Sequence, residues 1–477
     1  MIAGVVTACA TNPVTGGKDI VLMSEDEEIA LGRANDPKIR AQYGVYDDSA
    51  LQAYVQRVGE QLATHSHRPG LVYRFTVLDS PEVNAFALPG GYIYITRGIL
   101  AYLNSEAELA AVLGHEVGHV TARHAVRQYT AATAASIGAN ILSAVVPELG
   151  SQVGQQFMSV IGNALLSGYG RDHELESDRL GAEYLARTGF DPHAMIGVVG
   201  VLKNQEEFEK QRAKEEGREP RVYHGVFATH PSNDRRLQEV VAEADKFKTA
   251  AAVRTARADY LRYLDKLTFG ESARQGIGRG AEFYHRDLNF ALRFPAGWRV
   301  ENTPQAVLAS SPDQAASMQL RMEDLNRRLS PREYMQQRLK LTNLMDEAPL
   351  EGSALPAHTA VVRLNTPFGP RDTRVIVVYH ENRAFTFYGA TRAANALGRV
   401  DPLFLATARS LHPLTAAERR LAEGLHIRVV AARAGDTFAG LAKKSPLGAG
   451  AESVLRLLND RFPGGEPGTD EMIKVIE

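Results

Sequence analysis

The amino-acid sequence predicts an α+β protein: a mainly helical N-terminal domain with a small sheet, then a domain of the α+β class, then a small C-terminal module. Apolar residues at helical spacing dominate the first half of the chain, with short β-forming segments between them. Glycines then cluster at residues 270–280, and β-forming segments dominate the region that follows. A chain of 477 residues is long enough for about three domains.

The N-terminal domain is predicted over residues 21–268, after a lead over residues 1–20. Residues 10–23 are expected to be flexible. Ser24 and Glu27 have the spacing of a capping box, which starts a helix. Other predicted elements include helices at residues 51–63, 107–120 and 182–203, and strands at residues 73–78 and 92–96.

The helix at residues 107–120 contains an HExxH motif formed by His115, Glu116 and His119. The two histidines are one helical turn apart, so both imidazoles project from the same face. Two imidazoles at this spacing can bind one Zn²⁺, and Glu116 can reach a water at the metal without being a ligand. The motif therefore points to zinc-dependent peptide hydrolysis. The alternative is a surface helix whose histidines are solvated.

A third metal ligand is predicted downstream, at Glu174. Glu174 and Asp178 are four residues apart and share a helix face, whereas Glu176 lies on roughly the opposite side. Helical phase therefore favours Glu174 as the ligand. Asp178, one turn on, can accept the second ring N–H of a zinc-bound histidine and so fix its tautomer. The alternative is an exposed helix face that carries paired charges.

The residues after the second histidine exclude a competing ligand pattern. The extended motif HExxHxxGxxH requires glycine and histidine at the positions of Ala122 and Ala125. His124 is out of step with that motif, and we expect it to be exposed at the end of the helix. Two histidines and one glutamate with an open fourth position are typical of a catalytic zinc site, not of a structural one.

The HExxH motif followed by Glu174 and Asp178 resembles the pattern of the gluzincin metallopeptidases. Within this group, the chain resembles the HtpX/BepA-like family, which includes the CAAX prenyl endopeptidases. The resemblance covers about residues 20–245. Four motifs carry it in order: residues 83–98, the HExxH helix, residues 174–178, and Thr229-His230-Pro231 followed by Arg236. Ser177 departs from the family, which more often has alanine there.

This resemblance implies a zincin-type metallopeptidase domain that holds one Zn²⁺ per chain. Glu116 acts as the general base in such a site. The resemblance further implies that His230 either stabilises the oxyanion or, in a latent state, occupies the open metal position, and that Arg236 supports the same oxyanion.

The segment before the HExxH helix is interpreted as a substrate-binding strand. Residues 92–96 alternate and are rich in β-formers, and Gly91 precedes them in an expected tight turn. An edge strand beside the metal can bind an extended peptide by main-chain pairing. The predicted contacts are Gly91, Tyr92, Ile93 and Tyr94. An ordinary hairpin strand with a packed aromatic face is the other interpretation, and the two are compatible.

The first residues resemble a bacterial lipoprotein signal. Val6-Thr7-Ala8-Cys9 is similar to a lipobox, in which the cysteine is acylated, although no positive charge precedes it. The alternative is an apolar tail with an inert thiol. We expect a periplasmic protein, more specifically an outer-membrane lipoprotein that contacts the membrane through a lipid anchor at Cys9. Because Cys9 is the only cysteine, an intramolecular disulfide is excluded.

Charge and hydropathy argue against two further classes of protein, those that bind nucleic acid and those that span a membrane. A net charge of −2 argues against nucleic acid as a partner. Residues 131–146 and 152–169 are uncharged, but they are too short or too polar for a spanning helix, which needs about 20 apolar residues. We interpret them as two soluble helices beside the cleft. Insertion into a membrane is the alternative.

Two modules are predicted after the peptidase domain. Residues 281–415 form an α+β domain with helices at 331–345 and 400–411; it weakly resembles PsbP/Mog1-like domains and is interpreted as a scaffold or docking module. Residues 424–477 resemble a LysM module with the order strand, helix, helix, strand. That resemblance implies peptidoglycan binding through residues 427–476. A small capping domain without glycan affinity is the alternative.

These features predict a zinc-dependent endopeptidase of the bacterial cell envelope that acts in protein quality control. Its expected substrates are unfolded or misassembled envelope proteins. The alternative is an envelope assembly factor or chaperone-like scaffold whose protease activity is latent and self-inhibited.

Overall fold

The computed structural model describes residues 8–139, 170–215, 242, 245–246, 254–303 and 305–477. They form two compact units. The first combines Met1–Phe269 with Leu425–Glu477, and the second is Gly270–Gly424. The mixture of helices and strands predicted for the chain is confirmed.

The first unit is mainly helical in its N-terminal part. Its helices are α1 (Glu25–Tyr43), α2 (Ser49–Thr64), α3 (Arg97–Tyr102), α4 (Glu106–Thr121), α5 (His124–Ala139), α6 (Arg171–Arg187), α7 (Ala194–Glu215) and α8 (Arg257–Leu264). The capping box predicted at the start of α1 is present, with Ser24 and Glu27 bonded reciprocally. Helix α4, which carries the HExxH motif, is buried along nearly its whole length, so it forms the centre of this unit.

The predicted helix over residues 182–203 is wrong, because two helices occupy this region. Helix α6 ends at Arg187, and α7 begins at Ala194. Gly189 lies between them with a φ of 76°, a backbone conformation that glycine adopts without strain. Pro192 follows in the same connection, and its ring cannot continue a helix from the preceding turn.

Three small sheets belong to the first unit. Strands β1 (Ala8–Thr11) and β2 (Lys18–Val21) form an antiparallel hairpin, so the expectation of a flexible segment through residue 23 is wrong. Strands β3 (Arg74–Leu78), β4 (Ala85–Leu88) and β5 (Tyr92–Thr96) form a second sheet in the order β3–β5–β4. Strand β6 (Thr268–Phe269) belongs to the third sheet.

Strand β5 is the central strand of its sheet, which corrects the prediction of an edge strand over residues 92–96. It pairs in parallel with β3 and antiparallel with β4. All five of its residues are buried. The backbone of Tyr92, Ile93 and Tyr94 is therefore engaged on both sides, and Gly91 lies in the turn that leads into the strand.

The second unit is built on antiparallel strands. They are β7 (Ile277–Arg279), β8 (Glu282–His285), β9 (Phe290–Arg293), β10 (Arg299–Thr303), β11 (Ala306–Ser310), β12 (Ala316–Asp324), β13 (Met345–Pro349), β14 (Ala357–Thr366), β15 (Gly369–His380), β16 (Arg383–Thr391) and β17 (His412–Pro413). Seven form one sheet in the order β10–β11–β12–β16–β15–β14–β13, and four form another in the order β17–β9–β8–β7.

Helices in the second unit are few. The predicted helix over 331–345 is much shorter: α9 (Pro331–Glu333) continues only as a π-helical turn at Tyr334–Arg338. Helix α10 (Leu397–Arg409) packs its buried Phe404 into the core formed with the long sheet, close to the helix predicted at 400–411. Helix α11 (Ala416–Leu421) follows.

The C-terminal segment completes the first unit. It contains β18 (Leu425–Ala431), α12 (Phe438–Ala442), α13 (Ala451–Leu458) and β19 (Met472–Ile476), in the predicted order of strand, helix, helix, strand. Its apolar side chains belong to the same hydrophobic core as those of α4. The buried Lys474 ammonium donates to the carbonyl oxygens of Ala101 and Leu103, both at 2.7 Å. This segment is therefore packed onto the end of α3.

Within the part of the chain that the structure describes, no helix has the length and apolar character needed to span a bilayer. Of the two uncharged stretches predicted as helices, only the start of the first is described, within α5. The remainder of that stretch and the second stretch, residues 152–169, lie outside the described residues.

Candidate metal centre

The two histidines of the HExxH motif face each other on the buried helix α4. His115 and His119 are 6% and 5% exposed, and their Nε2 atoms are 3.0 Å apart. Ser105 caps the N-terminus of α4 by accepting from the Glu108 backbone N–H, which fixes where the helix begins. One turn of this helix places both Nε2 atoms on one side, as the spacing predicts.

Helix α6 approaches α4 closely because both helices have glycine at the contact. A Cβ added to Gly118 would lie 3.0 Å from the Ser177 carbonyl oxygen. One added to Gly181 would lie 3.1 Å from the His115 backbone nitrogen. This approach places Glu174, in the first turn of α6, beside the two histidines.

The donor set of this cluster fits a tetrahedral metal ion. Glu174 Oε2 is 3.2 Å from His115 Nε2 and 3.7 Å from His119 Nε2, and the two nitrogens are 3.0 Å apart. Ligands about 2.0–2.1 Å from zinc in a tetrahedron lie about 3.3–3.4 Å from one another. The three distances bracket this value. Two imidazoles and a carboxylate are also the ligand types of catalytic zinc sites, so these residues can hold the ion.

Asp178 contacts the far side of the first histidine. Its Oδ1 accepts from His115 Nδ1 at 2.8 Å, and the carboxylate is 2% exposed. With Nε2 directed at the metal, the proton of His115 resides on Nδ1, and this hydrogen bond holds it there. The geometry matches the role that the sequence predicts for Asp178.

His124 is buried beside the second histidine, so the expectation of an exposed residue is wrong. It is 0% exposed, and its Nδ1 lies 2.8 Å from His119 Nδ1. Its Nε2 lies 3.0 Å from Glu176 Oε2, and its ring stacks on His173 with centroids 4.3 Å apart. Burial lowers the pKa of His124 to about 3, which leaves the ring neutral at physiological pH.

Sequence reasoning missed the burial of His124 because it did not foresee the turn that follows the helix predicted at residues 107–120. Helix α4 ends at Thr121, and Arg123 adopts a φ of 55° before α5 begins at His124. This left-handed residue turns the chain so that His124 points back toward His119. No glycine or proline at positions 122–123 signals the break.

Glu116 lies next to His115 on α4 and is 5% exposed. Its position within the motif, between the two ligand candidates, is the one from which a carboxylate can reach a water at the metal.

Strand β4, and not β5, lies at an edge of this sheet. It packs against α4 and, among the described strands, pairs only with β5. Its opposite edge therefore carries the main-chain groups that an extended peptide could pair with. His230 and Arg236, predicted at the oxyanion, lie outside the described residues.

The N-terminal half of the chain is similar to known peptidases. Residues 49–244 match the model of Peptidase family M48. A "Beta-barrel assembly-enhancing protease" from Yersinia pestis is 27% identical over 233 residues, which cover 47% of this chain and 46% of the relative. A "Putative beta-barrel assembly-enhancing protease" from Vibrio cholerae is 33% identical over 184 residues, 36% of each chain.

A second group of relatives has mitochondrial names. A "Mitochondrial metalloendopeptidase OMA1" from Arabidopsis thaliana is 33% identical over 159 residues, covering 33% of this chain and 31% of the relative. The chain thus spans less than half the length of the curated relatives named here.

Among solved structures, cyanobacterial PsbP (CyanoP) from Synechocystis sp. PCC 6803 is 14% identical and covers 29% of this chain and 95% of that chain. The TM-score of this match is 0.22. The cluster on α4 and α6 lies within the residues that match the peptidase family. The family match and the names of the relatives support a metalloendopeptidase of the M48 type.

Proposed function

We propose that this chain is a zinc-dependent endopeptidase of the bacterial cell envelope that acts on unfolded or misassembled proteins. The observation that carries the proposal is the buried cluster of His115, His119 and Glu174, whose three donor atoms lie within 4.8 Å of one another. Bound there, zinc supplies a Lewis acid that polarises the scissile carbonyl and acidifies water.

The chain's own residues supply the remaining chemistry. Glu116 takes the proton of the attacking water as general base and later returns it to the leaving amine. Asp178 keeps the Nδ1 proton on His115, so that Nε2 stays directed at the metal. His230, supported by Arg236, is proposed to stabilise the oxyanion in the open state, and His230 is proposed to block the site in a latent state.

Substrate binding is proposed at strand β4. An extended peptide that adds to its outer edge would pair through main-chain groups, whatever its side chains. This mode suits a protease of unfolded chains, because an unfolded segment has free backbone and no fixed sequence. A substrate protein in its folded form offers few such segments, since its backbone groups are already paired with one another.

The Glu116→Gln variant tests the catalytic assignment. Gln keeps the size of the side chain and removes the base, so cleavage of casein should fall by at least about 100-fold. Zinc content should equal that of the unsubstituted chain, because Glu116 is not a ligand. Glu60→Gln, on the exposed face of α2, is the matched control and should cleave normally. Equal cleavage by Glu116→Gln and its control would remove Glu116 from the mechanism.

A second candidate function is envelope assembly with latent proteolysis. The name of the bacterial relatives, which refers to β-barrel assembly, favours this function. A deletion strain that carries Glu116→Gln separates the two candidates. If the variant corrects the envelope defect of the deletion strain as well as the unsubstituted chain does, assembly is the main function and proteolysis is secondary.

Two contacts complete the proposal. Residues 427–476 would bind peptidoglycan, on the strength of their LysM-like order of elements. Cys9 would carry a lipid anchor in the outer membrane. Retention of the chain on purified sacculi tests the first contact, and metabolic labelling with a fatty acid tests the second; absence of retention or of label removes the respective contact.

A further inference from the structure

A chain of polar contacts leads away from His119 on the side opposite the metal cluster. His119 Nδ1 lies 2.8 Å from His124 Nδ1. His124 Nε2 lies 3.0 Å from Glu176 Oε2, and Arg127 Nη1 donates to the same oxygen at 3.0 Å. We call His124, Glu176 and Arg127 the His124 relay. It is separate from the contact between Asp178 and His115.

Proton positions along the relay follow from the chemistry of imidazole. A metal-binding His119 has no proton on Nε2, so its proton is on Nδ1 and points at His124. His124 Nδ1 must then accept, because two N–H groups cannot face each other at 2.8 Å. The proton of His124 is therefore on Nε2, where it is donated to the Glu176 carboxylate. Each hydrogen bond along the relay has one possible direction.

The relay is held by three helices. Its first residue, His124, begins α5 after the left-handed turn at Arg123. Arg123 is held by α1, because its Nε donates to Glu28 Oε2 at 3.0 Å. Glu176 lies on α6, two residues after the ligand Glu174, and the neighbouring Ser177 hydroxyl approaches His124 Nδ1 at 3.3 Å. The relay and the ligand cluster therefore share α6.

We propose that His124, anchored by Glu176, is a positioning residue that fixes the tautomer and ring orientation of His119 for metal binding. His124 thus accepts the Nδ1 proton of His119, just as the Asp178 carboxylate accepts the Nδ1 proton of His115. The inference rests on the proposed metal-dependent function and deepens it. It predicts that metal affinity depends on residues that do not touch the metal.

Zinc affinity, measured by chelator competition on the full chain, tests the proposal. His124→Phe keeps an aromatic ring and removes the acceptor, and should weaken zinc binding by about 10- to 100-fold. His124→Asn can place an amide oxygen near the position of Nδ1 and should recover part of that loss. Glu176→Gln still accepts from His124 but lacks the charge, so its loss should be smaller and of the same sign.

The control is His67→Phe, which removes a partly buried histidine that contacts Tyr184 and no metal ligand. It should bind zinc within about twofold of the unsubstituted chain. The absorption bands of the Co²⁺-substituted proteins supply a readout independent of activity: they should shift in the relay variants and not in the control, because only the relay variants change the ligand geometry.

The outcomes are distinguishable. Unchanged zinc affinity and Co²⁺ spectra in both His124→Phe and Glu176→Gln would overturn the proposal. If His124→Phe does not fold, Glu176→Gln, whose side chain is partly exposed, decides alone by the same criteria. If the unsubstituted chain itself fails to bind zinc, the proposed function is wrong and the relay falls with it.

Discussion

Replacing Gly118 by valine should weaken metal binding without touching a ligand. Gly118 lies between the two histidine ligands on α4, where α6 crosses. A Cβ at this position would be 3.0 Å from the Ser177 carbonyl oxygen and 3.1 Å from its Cα. Carbon atoms pack best at about 3.5–4.0 Å, so alanine alone would already press the two helices apart.

Valine extends the conflict, because its two methyl carbons lie about 1.5 Å beyond Cβ. The helices would have to separate by on the order of 1 Å, whereas metal–ligand distances tolerate about 0.2 Å. Overpacking costs about 1–3 kcal/mol. If the metal-free form relieves this strain by separation of α4 and α6, zinc affinity falls by roughly 5- to 150-fold.

Chelator competition gives the zinc affinity of Gly118→Val directly. Gly200→Val is the matched control, because it makes the same change in helix α7 where a Cβ would have no heavy atom within 4 Å. The control should bind zinc normally. Equal affinities for the two variants would refute the argument that close packing of α4 and α6 positions Glu174.

Two further predictions concern buried titratable groups. Asp178→Asn keeps an acceptor for His115 Nδ1 but removes the charge, so zinc affinity should drop by about 10-fold or more; an unchanged dissociation constant would contradict the contact. In the second unit, burial lowers the pKa of His285 from 6.5 to about 4, while Asp287 raises it and Arg383 lowers it further. The unfolded chain therefore binds a proton that the folded unit rejects, and stability should be lost as pH falls from about 6.5 to about 4, by at most about 3 kcal/mol. Fluorescence of Trp298, the only tryptophan, reports unfolding of this unit, and His285→Gln should flatten the pH dependence; a slope equal to that of the unsubstituted chain would count against the assignment.

The ligand cluster could be predicted because its signals are local. The spacing of His115 and His119 fixes their common face within one helix, and the same arithmetic selects Glu174 over Glu176 on another. The structure brings the three selected residues together. Only the packing of α4 on α6 was beyond the sequence argument, and Gly118 shows why that packing is so close.

The features that sequence reasoning missed depend on contacts between distant segments. The sequence pattern of β5 fits an edge strand and a central strand of a sheet equally well. Its central position depends on pairing with β3, where Arg74 lies opposite Tyr92, 18 residues later in the chain. His124 was expected to be exposed at the end of the helix, but it is turned toward His119 by a single left-handed residue, Arg123, which is neither glycine nor proline. That residue is held by Glu28, nearly a hundred positions away along the chain.

Metal content of Glu174→Ala beside the unsubstituted chain tests the central claim most directly. The account predicts one zinc per chain in the unsubstituted protein and a large loss in the variant, because the carboxylate is one of three ligands. Zinc retained at one equivalent with the same affinity in Glu174→Ala would show that α6 does not contribute a ligand, and would contradict the metal centre described for α4 and α6.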